Sequence, residues 1–146
     1  VESQRIMQLI HSLRELNQSL YQATRKETES TGITQIQLLA LRRLHQHPSI
    51  GLNELADLMH MSASTASGVV ERLVQAALVI RQHSDTDRRA VVLNLTEAGK
   101  QLVAQTSERI LNKLSPLLEL SDEDYNDLLR IHGQLIAMLQ KARKEN

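Results

Sequence analysis

The chain has no cysteine, tryptophan or phenylalanine, and Tyr21 and Tyr125 are the only aromatics among its 146 residues. Without cysteine, disulfides, thiolate metal sites and thiol redox switches are excluded. Two aromatic faces in the whole chain argue against a platform on which single-stranded nucleic acid could stack. The core must be built from Leu, Ile, Val and Ala, which suits helix-on-helix packing better than a large sheet. No stretch approaches the roughly 20 apolar residues of a membrane span. The first residues, Val1-Glu2-Ser3-Gln4-Arg5, lack the basic-then-apolar layout of a secretory signal, so a cytoplasmic protein is expected. Gly32, Gly51, Gly68, Gly99 and Gly133 are isolated, so no phosphate-cradling loop is present, and no nucleophile–base pairing is visible. An enzyme, a metal site and a cofactor are therefore not expected.

Net charge is also lacking, with 17 basic residues against 17 acidic. That weighs against a nucleic-acid partner, because phosphate neutralisation usually leaves a basic footprint. Distribution matters more than the sum. Asp122, Glu123, Asp124 and Asp127 concentrate acid near the C-terminus, yet residues 48–96 still hold four Arg against five acids. Any case for DNA has to rest on pattern.

What is present is organised helical periodicity. Ile6, Leu9, Ile10, Leu13, Leu16 and Leu20 predict a helix over 3–29, ended by Gly32. Thr34-x-x-Gln37 is a capping box opening a helix with Leu38, Leu41 and Leu44 that stops before Pro48. A short helix is predicted over 52–59, and Ser62 is the N-cap of another over 63–76. The period then changes. Val79–His83 and Val91–Leu95 read as strands joined by the polar stretch Ser84–Arg89, a hairpin. Thr96 caps a helix with Leu102, Val103, Ile110, Leu111 and Leu114 up to a bend near Pro116. Ser121-x-x-Asp124 caps the last helix, with Lys141, Arg143 and Lys144 at its end and an apolar stripe of Leu128, Leu129, Leu135, Ile136 and Leu139. The outer thirds are thus long amphipathic helices that need a partner, and a second copy of the chain is the simplest one.

Residues 52–76 have the shape of a helix-turn-helix with the turn at His60-Met61-Ser62. Ala66, Val69, Val70, Leu73 and Ala77 fall in one apolar sector of the second helix. The opposite face carries Ser64, Gly68, Glu71 and Gln75, flanked by Thr65, Ser67 and Arg72. Small hydroxyls and a glycine let a helix approach base edges closely, and Ser and Thr can hydrogen-bond bases or phosphates. The same residues are equally explained as caps of an ordinary helix pair. The hairpin shifts the balance. Arg88 and Arg89, at its tip or descending side, could reach an adjacent minor groove, where negative potential favours Arg. Asp85 and Asp87 stand close enough to hold a guanidinium and the hairpin in one geometry.

Asp87-Arg88-Arg89-Ala90-Val91-Val92-Leu93-Asn94-Leu95-Thr96-Glu97-Ala98-Gly99 resembles, at every specified position, the D-x-R-x-x-x-L-x-L-T-x-x-G wing signature of the MarR family, the multiple-antibiotic-resistance regulators. Thr34–Leu41 is similar to the family's second helix and Leu52–Leu73 to its helix-turn-helix, and the resemblance runs over essentially the whole chain. It implies a mainly α fold with a small β-hairpin wing. The protein would be a winged helix-turn-helix and triangular homodimer, one domain over 1–146. The lobe would span 33–96, with the helix-turn-helix over 52–76 and the wing over 79–95, and 1–32 and 97–146 would dimerise. It further implies a sequence-specific regulator of double-stranded DNA, a ligand-responsive repressor on a pseudo-palindromic operator. The DNA-contacting residues would be Ser62, Ser64, Thr65, Ser67, Gly68, Arg72, Asp87, Arg88 and Arg89, with Arg89 in the minor groove and Asp87 as its anchor. Relatives bind small effectors beside the dimer helices, where His11, Arg14 and Tyr21 are weak candidates. Two departures stand out: Gln75-Ala76-Ala77-Leu78 lacks the glycine many members carry before the strand, and the cysteines of the peroxide-sensing branch are absent. Two alternatives stay open. One is an interaction module whose helix-turn-helix has lost DNA. The other is a metal-responsive regulator, for which His83 with Asp85 and Asp87 could be imagined as ligands, although no recognised metal spacing occurs.

Overall fold

The computed structural model describes residues 1–145. Eight regular elements follow in order: α1 (Glu2–Glu29), α2 (Gln35–Gln46), α3 (Leu52–Leu58), α4 (Ala63–Gln75), β1 (Val79–His83), β2 (Val91–Leu95), α5 (Glu97–Lys113) and α6 (Asp122–Lys144). A 3₁₀ turn at Ser115–Glu119 begins around Pro116, as a ring with fixed φ and no N–H dictates. The topology is mainly helical with one two-stranded hairpin, a winged helix-turn-helix. Contacts group the chain into two compact units, Val1–Lys113 and Leu114–Asn146.

The core of the first unit gathers Leu41 and Leu44 from α2, Leu55 from α3, Val70 and Leu73 from α4, Val79 from β1, Leu93 and Leu95 from β2, and Val103 from α5. It is wholly aliphatic apart from Met59, as the lack of aromatics required. The predicted capping box is present. Thr34 Oγ1 accepts from Gln37 N–H at 3.2 Å while Gln37 Oε1 accepts from Thr34 N–H at 3.0 Å. Ser62 and Ser121 cap α4 and α6 through the N–H groups of Thr65 and Asp124, and Thr96 Oγ1 accepts from Gly99 N–H at 3.1 Å to open α5.

Ala77 does not lie on the apolar sector of α4. It is exposed and left-handed (φ +57°), one residue past the cap Ala76. Leu78 N–H donates to Leu73 C=O and Ala77 N–H to Val74 C=O, a Schellman closure formed without glycine. The end of α3 repeats it, with left-handed His60 donating to Asp57 C=O and Met61 N–H to Ala56 C=O. In α5 only Val103, Thr106 and Gly99 are buried, and Leu111 of the predicted stripe stands 70% exposed. On α1 only Thr28 is buried, so Ile6, Leu9, Leu13, Leu16 and Leu20 face outward. In the second unit no described residue of α6 is buried, and Leu128, Leu129, Ile136 and Leu139 are exposed. No described helix is long and apolar enough to cross a membrane.

Candidate nucleic-acid interface

The reading helix is built by burying one face. Ala66, Val70 and Leu73 of α4 are buried and Val69 half-buried, so the opposite face must point out. Ser64, Thr65, Ser67, Gly68 and Arg72 are all exposed on α4. A Cβ on Gly68 would meet nothing within 4 Å, so open space lies above the helix backbone there. Ser62 is partly committed. Its Oγ accepts from Thr65 N–H at 3.2 Å and lies 2.9 Å from Thr65 Oγ1, so both hydroxyls hold the helix start.

The hairpin pairs Val79 with Leu95 through to His83 with Val91, antiparallel. Its loop, residues 84–90, is tied by its own polar groups. Ser84 N–H donates to Ala90 C=O at 2.9 Å, Ala90 N–H to Asp87 C=O at 3.0 Å, and Thr86 N–H to Ser84 Oγ at 3.3 Å. Asp87 anchors Arg89, but through the main chain rather than the guanidinium, since its Oδ1 accepts from Arg89 N–H at 3.0 Å. A carboxylate bonding an N–H two residues on is the local turn Asp favours. Among the described residues Arg72, Arg88 and Arg89 form no ion pair, and all three are exposed. The lobe therefore presents three unneutralised guanidinium groups from a helix and a loop, despite a chain that is neutral in sum.

Among the described residues no group of three or more His, Cys, Asp or Glu could hold a metal ion. His83, Ser84, Asp85 and Arg88 instead line an open depression on the wing. His11, Arg14 and Tyr21 share one side of α1 by helical spacing and are all exposed, with His11 Nε2 3.7 Å from Glu15 Oε2.

Three features escaped the sequence reading. Arg81 Nη2 of β1 donates to Glu71 Oε2 of α4 at 2.8 Å. Asn94 Oδ1 accepts from Ser49 N–H at 2.8 Å, and Asn94 Nδ2 donates to Gln82 Oε1 at 2.9 Å. Arg42 and Arg43 on α2 are half-buried. Burial pushes the Arg42 pKa down, while Arg43 Nε and, on α1, Glu27 Oε2 are buried without a hydrogen-bond partner. The adjacent cations inside Leu41-Arg42-Arg43-Leu44 were the available signal for the last, whereas the first two join residues 10 and 45 positions apart.

Residues 33–91 match the MarR family, a span that begins just before α2 and takes in α2–α4 and β1. The chain is 34% identical over 110 residues to an uncharacterized HTH-type transcriptional regulator, YfiV, of Bacillus subtilis, covering 75% of this chain and 69% of that protein. It is also 34% identical over 139 residues to the HTH-type transcriptional repressor MdtR of the same organism, covering 92% and 88%. A solved MarR family protein from Bacillus stearothermophilus superposes with a TM-score of 0.79 at 25% identity, covering 96% of this chain and 99% of that one. With that winged lobe, its wing signature and these relatives in agreement, the chain belongs to the MarR family of DNA-binding transcriptional regulators, which are not enzymes.

Proposed function

We propose that the chain is a ligand-responsive repressor that binds a pseudo-palindromic operator as a cytoplasmic homodimer. One observation carries the DNA geometry: the exposed hydroxyl-and-glycine face of α4 sits in the same lobe as a self-ordered wing loop bearing two arginines that form no ion pair among the described residues. α4 enters the major groove, where Ser64, Thr65, Ser67 and Gly68 lie against base edges and Arg72 against phosphate. The wing follows the backbone, with Arg89 in the minor groove and Arg88 on a phosphate. Asp87 holds the Arg89 backbone, so little ordering remains to be done on binding. The repressor sense is supported by the similarity to the transcriptional repressor MdtR.

The chain acts as one module in which the 33–96 lobe reads DNA while 1–32 and 97–146 dimerise. The outward apolar residues of α1 and the exposed ones of α6 are more than a small monomer leaves in water, which supports a self-association surface. The small effector binds beside α1, near His11, Arg14 and Tyr21.

The test is a salt titration of operator affinity for the parent, Arg89→Ala, Arg88→Ala and Ser64→Ala. Arg89→Ala lowers the slope of log affinity against log salt by about one unit per protomer, about two for the bound dimer, and weakens the preference for A·T-rich flanks. Arg88→Ala acts as a weaker phosphate contact. Ser64→Ala relaxes base preference at one position per half-site with little change in slope. Equal affinity and slope for Arg89→Ala and the parent would show that the wing does not touch DNA.

A further inference from the structure

Glu71 is the only acid on α4, and it stands in the row Ser64–Gly68–Glu71–Gln75 that faces outward. An uncompensated carboxylate there would be repelled by phosphates as the helix entered a groove. It is compensated by a residue from another element, since Arg81 on β1 meets it at 2.8 Å, with side chains 41% (Arg81) and 53% (Glu71) exposed.

The place of this contact in the hairpin is informative. Arg81 pairs in register with Leu93 of β2, and Leu93 is bridged in turn to Ile50, with its N–H donating to Ile50 C=O at 2.8 Å. A single rung therefore runs from α4 through both strands to the segment between α2 and α3. Across that rung Gln82 and Asn94, whose register partners are Val92 and Ile80, bond each other diagonally, and Asn94 holds Ser49. Among the described residues, 84–90 hydrogen-bond only with one another, so the pitch of the arm carrying Arg88 and Arg89 is set at its base. The covalent joint from α4 to β1 is only Ala76–Leu78. Glu71–Arg81 is the side-chain tie that adds to this joint on the α4 side.

Resting on the DNA reading above, we propose that Glu71 and Arg81 are a positioning pair that fixes the wing against the reading helix, so that base readout by α4 and backbone contact by Arg88 and Arg89 are made in one register on duplex DNA. Neither residue need touch a base. The pair converts two separately weak contacts into one rigid footprint, and its loss lowers discrimination rather than overall affinity.

The experiment selects duplexes of about 30 bp, enough for two half-sites one turn apart, from a random pool with the parent chain. It then measures affinity for the enriched duplex and for a scrambled duplex of the same composition. Glu71→Gln is expected to lower the ratio of the two about two- to fivefold, the scale of an exposed ion pair, without weakening scrambled binding, since a negative charge is removed. Arg81→Gln lowers the ratio similarly. The exchange Glu71→Arg with Arg81→Glu, which restores attraction with the charges reversed, returns the ratio to within about twofold of the parent. An unchanged ratio in Glu71→Gln, whatever its thermal midpoint, overturns the pair alone. A lowered ratio that the exchange does not restore also overturns it, in favour of a direct base or phosphate contact. A parent that enriches no duplex overturns the DNA reading and the pair's role with it.

Discussion

Replacing Gly99 by alanine tests how the wing joins α5. A Cβ built on Gly99 falls against the Leu78 carbonyl oxygen and 3.2 Å from the carbonyl carbon, whereas ordinary contacts begin near 3.4 Å. Leu78 cannot easily yield. Its N–H donates to Leu73 C=O at 3.0 Å, its C=O accepts from Thr96 N–H at 3.1 Å, and the neighbouring Ala77 C=O accepts from Thr96 Oγ1 at 2.7 Å. Overpacking against such backbone costs about 1–3 kcal/mol, and each of the one or two hydrogen bonds disturbed adds about 1 kcal/mol. The helical preference of alanine over glycine returns at most about 1 kcal/mol. The net loss is therefore about 1–4 kcal/mol, and at 2 kcal/mol the thermal midpoint falls by roughly 4–8 °C for a chain of this size. The assay is thermal denaturation by circular dichroism at one fixed protomer concentration, because self-association would otherwise move the midpoint. A Gly99→Ala protein that melts with or above the parent would refute the reasoning, since the backbone contact would then not constrain residue 99.

The left-handed turn at Ala77 makes the opposite prediction. Ala77→Gly relieves roughly 1–2 kcal/mol of conformational cost and gives back about 0.4–1 kcal/mol in unfolded-chain entropy, so denaturant titration should show a gain near 0.5–1 kcal/mol. Gly68→Leu should leave the melting point unchanged or raised, because nothing lies within 4 Å of its Cβ, yet weaken operator binding about tenfold or more by holding α4 off the base edges. Sedimentation at micromolar concentration should find a dimer, and a stable folded monomer would contradict the assignment of the outer helices.

Element order, caps and the wing were legible in the sequence because their signals are local. Thr34 with Gln37, and Ser62 and Ser121 with the N–H groups three residues on, satisfy helix ends within one turn of chain. The β-branched runs Val79–His83 and Val91–Leu95 pair with each other in the antiparallel register that a seven-residue loop permits. The outward face of α4 followed from periodicity alone, since a buried stripe at helical spacing leaves only one side for Ser64, Gly68 and Arg72. Tertiary structure decided the rest. Sequence placed Ala77 on the apolar stripe, but the Schellman closure by Leu78 turned it outward and left-handed. Sequence paired Asp87 with a guanidinium, but the tight loop brought its carboxylate to the Arg89 N–H first. The requirement for glycine at 99 comes from the approach of Leu78, which is distant in the chain, and the Glu71–Arg81 contact exists only because the hairpin folds back beside α4. Caps and periodicity are written in residues a turn apart. Close approach and charge pairing between elements depend on where packing of Leu41, Leu55, Leu73 and Leu93 sets the helices and the hairpin, and no short-range pattern encodes that.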